Sequence, residues 1–435
     1  MFNKLFAFFQ NKLDFLYKNS IILQNLDSLI LFSILAVIVS SVFAQSESIG
    51  LFAILATVLT FIKLLVKKGE QLECNKFEIF LLAYFMFVII SLCGSSLFML
   101  SLKGFTKIII YLGFYLSVVQ YLKHNKDKIW WIIFIIAGCI SYEVLHGLIQ
   151  TVIRPEAIST WQDTSYLNPE EVINRVYGTL KPLNPNLFGG YLVATIPTLF
   201  AVVGYYAYKN KYTASMIAGI FSILAMYILF QTGCRGAYLG LFAIITVIIL
   251  VSARFFWKEY KNIFISTVGG LVVLGSGLVL SVTSLRARIL SIFIMRQDSS
   301  NSFRFNVYNS CIDMFKDNWL LGIGLGNKNF REIYGLYMKT GFDALSAYNI
   351  YLETAVESGI FALISFVAFL VLVIKKAYNY ITKSTNILSV IVVTSAVASI
   401  IGLMVHGFVD TVFFRPQIHF IFWIMVAIIN IQTRD

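Results

Sequence analysis

The sequence predicts an all-α polytopic membrane protein with about twelve transmembrane helices and a large extracytoplasmic loop between helices 9 and 10. Three observations carry that prediction. Of the 435 residues, 58% are hydrophobic and 13% charged, and the mean hydropathy is +0.80, too apolar and too poor in charge for a soluble globular chain. Apolar runs of spanning length, about 17 to 25 residues each, recur from end to end. Lys and Arg between the runs alternate between abundant and sparse, as short loops do on the two sides of a membrane.

The elements follow in order. In residues 1–25, Phe2, Leu5, Phe6, Phe9, Leu13 and Leu16 recur at helical spacing with Lys4, Lys12 and Lys18 among them. That pattern is an interfacial amphipathic helix; no small-residue cleavage site follows an apolar core, so it is not read as a cleaved signal. Residues 26–152 hold runs at 26–44, 49–66, 77–97, 105–122 and 129–152, giving helices 1 to 5. Residues 153–185 form an outer loop in which Pro155, Pro169 and Pro182 lie among Asn and Asp, the composition of a structured surface loop. Residues 186–284 supply helices 6 to 9 at 186–208, 213–231, 236–252 and 263–284. Residues 285–351 are the large polar loop, and 352–435 give helices 10 to 12 (352–374, 386–405, 417–432) with a short tail. No inverted repeat or interrupted span of the kind carriers use is legible, apart from Gly269, Gly270, Gly275 and Gly277 in helix 9 and Pro197 in helix 6.

Charge sets the expected orientation. With the N-terminus inside, the inner segments hold 18 Lys and Arg, whereas the short outer segments hold only Lys103, Lys107, Arg154, Arg175, Lys181, Arg235 and Arg415. Both termini are therefore expected in the cytoplasm, with the chain in the cytoplasmic (inner) membrane of a bacterium and the lipid bilayer as its first partner. The loop at 285–351, too long for the charge rule, then lies outside. The net charge of +12 is spread between spans and forms no basic domain, so no nucleic-acid partner is expected. The five cysteines have no CxxC spacing, and no metal or other cofactor is expected.

The chemistry is expected on the outer side, where the arginines gather. Nine lie there (Arg154, Arg175, Arg235, Arg286, Arg288, Arg296, Arg304, Arg331, Arg415) against Arg254 and Arg434 inside. Lysine suffices for topology, but the planar guanidinium fork binds phosphate or carboxylate in bidentate fashion and keeps its charge when partly desolvated. Arg175 and Arg235 stand at helix borders, where a lipid-linked anion can reach them; snorkelling at headgroup level is the competing explanation. Glu353 and Glu357, four apart, share one face of helix 10, and carboxylates at membrane depth face the protein interior; outer-turn carboxylates near the interface are the competing explanation. Glu143 in helix 5 and Lys63 in helix 2 are further ionisable groups at that depth; Lys63, near its span's end, is expected to snorkel. The glycines at 322, 324 and 326 follow no strand and face away from cytosolic nucleotides, so they are read as letting the backbone turn tightly, close to a bound anion.

Four motifs in order resemble the O-antigen ligase/polymerase superfamily: NRVYGTLKPLNPNLFGGYL (174–192), TGCRGAYLG (232–240), FRFNVY (303–308), and LGIGLGN (321–327) followed by AYNIYLETAVESGI (347–360). Within it, DSSNSFRFN (298–306), ALSAY (344–348) and DTVFFRPQ (410–417) are most similar to a cyanobacterial branch regarded as bicarbonate (inorganic carbon) transporters. The resemblance covers about 163–417; the first 150 residues match in hydropathy only.

The resemblance implies transfer or polymerisation of a polyprenyl-pyrophosphate-linked glycan at the outer face, by a metal-independent glycosyltransferase or ligase. It places Arg175, Arg235 and Arg304 where arginines hold the pyrophosphate, whose developing charge needs fixed cations. It makes Tyr348 a catalytic position, and Asn186, Asn349, Glu353, Asp410 and Arg415 positions for binding substrate. One departure stands out: at Tyr348 the ligases carry a His, and a phenol with a pKa near 10 is a poor base at neutral pH. Asp313, Asp343, Glu353, His406, Asp410 and His419 are the other groups near enough in sequence to act as base. The alternative function is an inorganic-carbon transporter, in which an Arg fork binds a small anion such as bicarbonate.

Overall fold

The computed structural model describes residues 2–72, 75–153, 175–290 and 299–434. Arg154, Arg296, Pro155, Pro169 and the first residues of two motifs, Asn174 and Asp298, lie outside them. An amphipathic helix, α1 (Phe2–Asn19), and a single turn, α2 (Ile21–Gln24), come first. Apolar helices follow: α3 (Leu26–Phe43), α4 (Ser46–Val66), α5 (Glu78–Gly94), α6 (Phe98–His124), α7 (Ile129–Ile153), α8 (Pro185–Tyr208), α9 (Tyr212–Gln231), α10 (Arg235–Phe256) and α11 (Lys261–Ser281). The polar stretch is itself helical, with α12 (Thr283–Leu290), α13 (Ser299–Asp317) and α14 (Asn327–Tyr334). The chain closes with α15 (Ile350–Lys383), α16 (Ile387–His406) and α17 (Pro416–Gln432). The fold is all-α and polytopic, with no strand among the described residues. Among the described residues nine helices are long and apolar enough to cross a membrane, and three shorter apolar helices fall at Glu78–Gly94, Lys261–Gly277 and Pro416–Gln432.

Helices that are apolar on every side need lipid or other helices around them. The centre belongs to α17, where every residue from Gln417 to Ile431 is buried, and to α8, buried continuously from Leu187 to Leu199. Around α17 pack α3, α6, α8, α15 and α16. By contrast α11 lies at the rim against α10, with Leu271 and Val273 exposed.

Two features depart from expectation. The span α15 is interrupted after all: Gly359 takes φ 80°, ψ 175°, splitting a short first piece from a long apolar one. The glycine run threads through the break. Ile323 N donates to Val356 O (2.9 Å), Gly324 N to Glu357 O (3.0 Å) and Ile360 N to Trp319 O (2.9 Å). The glycines at 322 and 324 thus permit backbone to meet backbone and neighbouring side chains, with no anion needed: a Cβ on Gly322 would stand 2.4 Å from Glu357 O, and one on Gly324 would stand 2.3 Å from Ser95 Oγ. Lys63, in turn, does not snorkel. Its Nζ lies 2.6 Å from Asp27 and 3.1 Å from Glu70, with 2% of the side chain exposed. The acceptors Asp27 and Glu70 hold it inward, and Lys67 shares both.

Candidate functional site

The site forms where α8, α10 and α15 begin and α16 ends. The segment leading to α8 is fixed first. Gln150 on α7 donates to Gly178 O (3.0 Å) and accepts from Tyr177 N and Gly178 N (both 3.1 Å). Glu143, two turns earlier on the same face, accepts from Thr179 N (3.0 Å) and from the Thr179 hydroxyl. Asn184 then caps α8, accepting from Asn186 N (2.7 Å) and Leu187 N (3.3 Å), with Pro185 at the first helical position.

Those anchors aim Arg175. Its Nε donates to Thr232 O (2.7 Å) and its Nη2 to Asn186 Oδ1, while Val176 N is tied to Gln231 O (3.0 Å). The turn at 232–234 passes close beneath it: Gly233, at φ 63°, leaves only 3.2 Å between a notional Cβ and Arg175 Nε. Glu143 is therefore an anchor for the Arg175 segment. Glu143→Ala would strand the Thr179 N–H, while the hydroxyl keeps Val42 O (3.3 Å) as an acceptor, and is expected to cost about 1–3 kcal/mol. Glu143→Gln, which keeps an acceptor, should cost less. Thermal unfolding of the detergent-solubilised variants checks this, and equal midpoints for wild type and Glu143→Ala would refute it.

Arg304 arrives from α13. Its guanidinium carbon lies 5.8 Å from the Tyr348 ring, over which Phe303 also packs edge-on at 5.9 Å. Tyr348 itself has φ 50°, a left-handed conformation uncommon for an aromatic residue. The Tyr308 hydroxyl holds it by donating to Tyr348 O (3.1 Å). Asn349, next in the chain, caps α15 by accepting from Tyr351 N (2.9 Å) and Leu352 N (3.0 Å), and donates to Phe408 O (3.0 Å). Its amide is thus committed to backbone.

Beneath lies a buried trio. Cys234 Sγ stands 3.6 Å from His406 Nε2, and Asp410 is close to both. Burial lowers the Arg175 guanidinium from its ordinary value, Cys234, Tyr238 and Asp410 oppose that drop, and Arg304 repels it. Arg175, Arg304 and Asp410 therefore share one electrostatic environment. Burial alone would raise the Cys234 thiol, but the His406 contact and Arg175 draw it below its ordinary value. Burial and the Asp410 carboxylate push the Tyr348 phenol up, against the pull of Arg304. Burial lifts Tyr308 to about 12. Neither phenol is poised as a base near neutrality.

The remaining candidates divide. Arg235 opens α10 beside Cys234 and is half-buried. Glu353 accepts from Ala347 N (3.0 Å) and also lines a cavity of about 90 Å³, shared with Glu357, Lys107 and Tyr84. Arg415 is exposed and acts on Glu353 and Tyr111, on that cavity's side. His419 is enclosed by rings, Tyr111 at 4.3 Å and Phe413 at 4.6 Å, and its Nδ1 meets Phe413 O (3.2 Å), the surroundings of a packed structural histidine. Asp313 pairs with Lys316 (2.8 Å) and Asp343 with Arg331 (2.7 Å), all four exposed. The structure thus gathers Arg175, Asn186, Arg304, Tyr348 and Asp410, and adds Gln150 as a support that sequence reasoning missed. Its seven-residue offset from Glu143 on one apolar helix was the available signal.

Residues 220–367 match the O-Antigen ligase family, a stretch that includes Arg235, Arg304, Tyr348, Asn349 and Glu353 but not Arg175 or Asp410. The chain is also similar to the teichuronic acid biosynthesis protein TuaE of Bacillus subtilis (strain 168), at 22% identity over 385 residues, covering 85% of this chain and 75% of that protein. The chain, all-α and polytopic, is thus similar to the O-antigen ligases over about a third of its length and to one teichuronic acid biosynthesis protein over most of it.

Proposed function

We infer that the protein takes part in polysaccharide biosynthesis, moving a glycan from a polyprenyl pyrophosphate carrier to an acceptor hydroxyl at the outer face of a bacterial cytoplasmic membrane. The observation that carries this reading is that Arg175 and Arg304, from segments far apart in sequence, lie near enough for the Arg304 charge to act on the buried Arg175 guanidinium, with Asp410 beside them. Holding two guanidinium groups together costs energy that a pyrophosphate repays, since each fork can take two of its oxygens. In the reaction the acceptor oxygen bonds to C1 of the donor sugar and the bond from C1 to the pyrophosphate oxygen breaks. The hydroxyl proton is left with the lipid pyrophosphate released. Charge builds on that leaving group, where fixed cations lower the barrier. The family match over 220–367 and the likeness to a teichuronic acid biosynthesis protein agree with it.

The carrier reading gains one feature, the break in α15, since transporters use broken helices to present backbone to an ion. Here the freed groups are spent on the 319–324 backbone, so the break lends that reading no support. Removing the gene from its host is expected to deplete the transferred polymer and raise the pool of polyprenyl-pyrophosphate-linked glycan several-fold. An unchanged lipid-linked pool and unchanged polymer would overturn the proposal.

A further inference from the structure

Cys234, His406 and Asp410 come from three separate segments: the turn between α9 and α10, the last residue of α16, and the connection from α16 to α17. Exposed at only 3%, 2% and 5%, each offers a ligand atom within 4.8 Å of the other two. The Sγ to Nε2 separation is 3.6 Å. A tetrahedral zinc centre, with Zn–S about 2.3 Å and Zn–N about 2.0 Å, places sulfur and nitrogen about 3.5 Å apart. A thiol hydrogen bond to imidazole accounts for that edge as well, but not for a buried carboxylate brought within 4.8 Å of both atoms.

The surroundings suit a cation. Thr411 N (2.7 Å) and Val412 N (3.1 Å) both donate to Asp410 Oδ1, orienting the carboxylate as outer hydrogen bonds do around metal ligands. The imidazole sits in a slot made by two glycines: a Cβ on Gly236 would stand 2.5 Å from His406 Cδ2, and one on Gly190 would stand 3.3 Å from Cε1. A thiolate and a carboxylate together supply the two negative charges that let a dication sit near Arg175 and Arg304. The soft sulfur ligand disfavours magnesium and calcium.

We propose that Cys234, His406 and Asp410 form a tetrahedral structural site for a zinc-like divalent cation, its fourth position left to a water. Such an ion ties together the 232–234 turn, which carries the carbonyl holding Arg175, and the two ends of the 406–410 segment. The ligands are separated by 172 residues in sequence between Cys234 and His406, so no spacing motif announces the site.

The test is metal content, which needs no activity assay and so stands or falls apart from glycan transfer. The full chain, purified in detergent, loaded with zinc and dialysed, is expected to hold about one zinc per chain by mass spectrometry. Cys234→Ser and Asp410→Asn, both close in shape, should each lower zinc affinity at least about tenfold while eluting as monodisperse protein. Cobalt-loaded wild type should show a thiolate-to-cobalt charge-transfer band that Cys234→Ser lacks. Wild type without zinc after loading, or unchanged affinity in either variant, would overturn the site.

Discussion

Arg175→Ala is expected to slow glycan transfer by about 10²–10³-fold, the scale of losing one preorganised donor to developing charge. The guanidinium is held before substrate arrives, through Thr232 O and Asn186, so the reaction does not have to order it. Arg175→Lys restores a charge but not the fork; it cannot hold both acceptors and still face an anion, and a loss of about tenfold or more is expected. Arg304→Ala should fall with Arg175→Ala, because the two share the same anion. Tyr348→Phe, by contrast, should leave the profile between about pH 6 and 9 unchanged: a phenol whose pKa is raised stays protonated throughout and donates nothing to base catalysis. Complementation of a deletion host at matched protein level, with transferred polymer as readout, checks all four. Normal transfer by Arg175→Ala would remove the pyrophosphate clamp from consideration.

Gly359→Ala is expected to destabilise the fold by about 3 kcal/mol or more. Its φ of 80° with ψ of 175° falls in a region essentially confined to glycine, and an added Cβ would stand 2.2 Å from Leu320 O. Neither side can yield cheaply, because the clash is with a carbonyl whose strand of chain is itself tied down by Ile360 N to Trp319 O and Gly324 N to Glu357 O. Gly322→Ala meets Glu357 O at 2.4 Å from the opposite side and should behave alike. Gly269→Ala in α11, with open space around it, is the matched control and should be nearly neutral. Thermal midpoints in detergent and the yield of monodisperse protein report the difference, and a Gly359→Ala protein as stable as the Gly269→Ala control would contradict the account.

Much of the architecture was legible because a bilayer imposes length and hydropathy on each helix, so the apolar runs foretold most helix ends closely, although α6 begins at Phe98 and not 105, and α15 runs to Lys383 and not 374, where polar residues extend each helix beyond its apolar run. The polar stretch before α15 was legible as a place, but its internal helices α13 and α14 were not, since they are stabilised by packing Phe330, Val307 and Cys311 together rather than by a strong local pattern. The arginines drew notice through their asymmetry, and Arg175 with Arg304 do share one environment, while Arg415 turns to another cavity. That division depends on which way α17 faces, and periodicity cannot fix the rotation of a helix buried on every side. The break at Gly359 was hidden for a similar reason: a single glycine in an apolar run carries no sign of φ. Lys63 was misjudged because Asp27 and Glu70, its acceptors, lie on other segments.

The burial of α17 bears on how the molecule is made. Of all these apolar helices it is synthesised last, yet it lies against α3, α6, α8, α15 and α16. Until it enters, the earlier helices surround a vacant axis, and Gln417 cannot reach Lys181 O to secure the segment carrying Arg175 (2.6 Å once formed). Fixing of the segment carrying Arg175 is thereby deferred until α17 has entered, so the earlier helices alone do not hold that arginine in place.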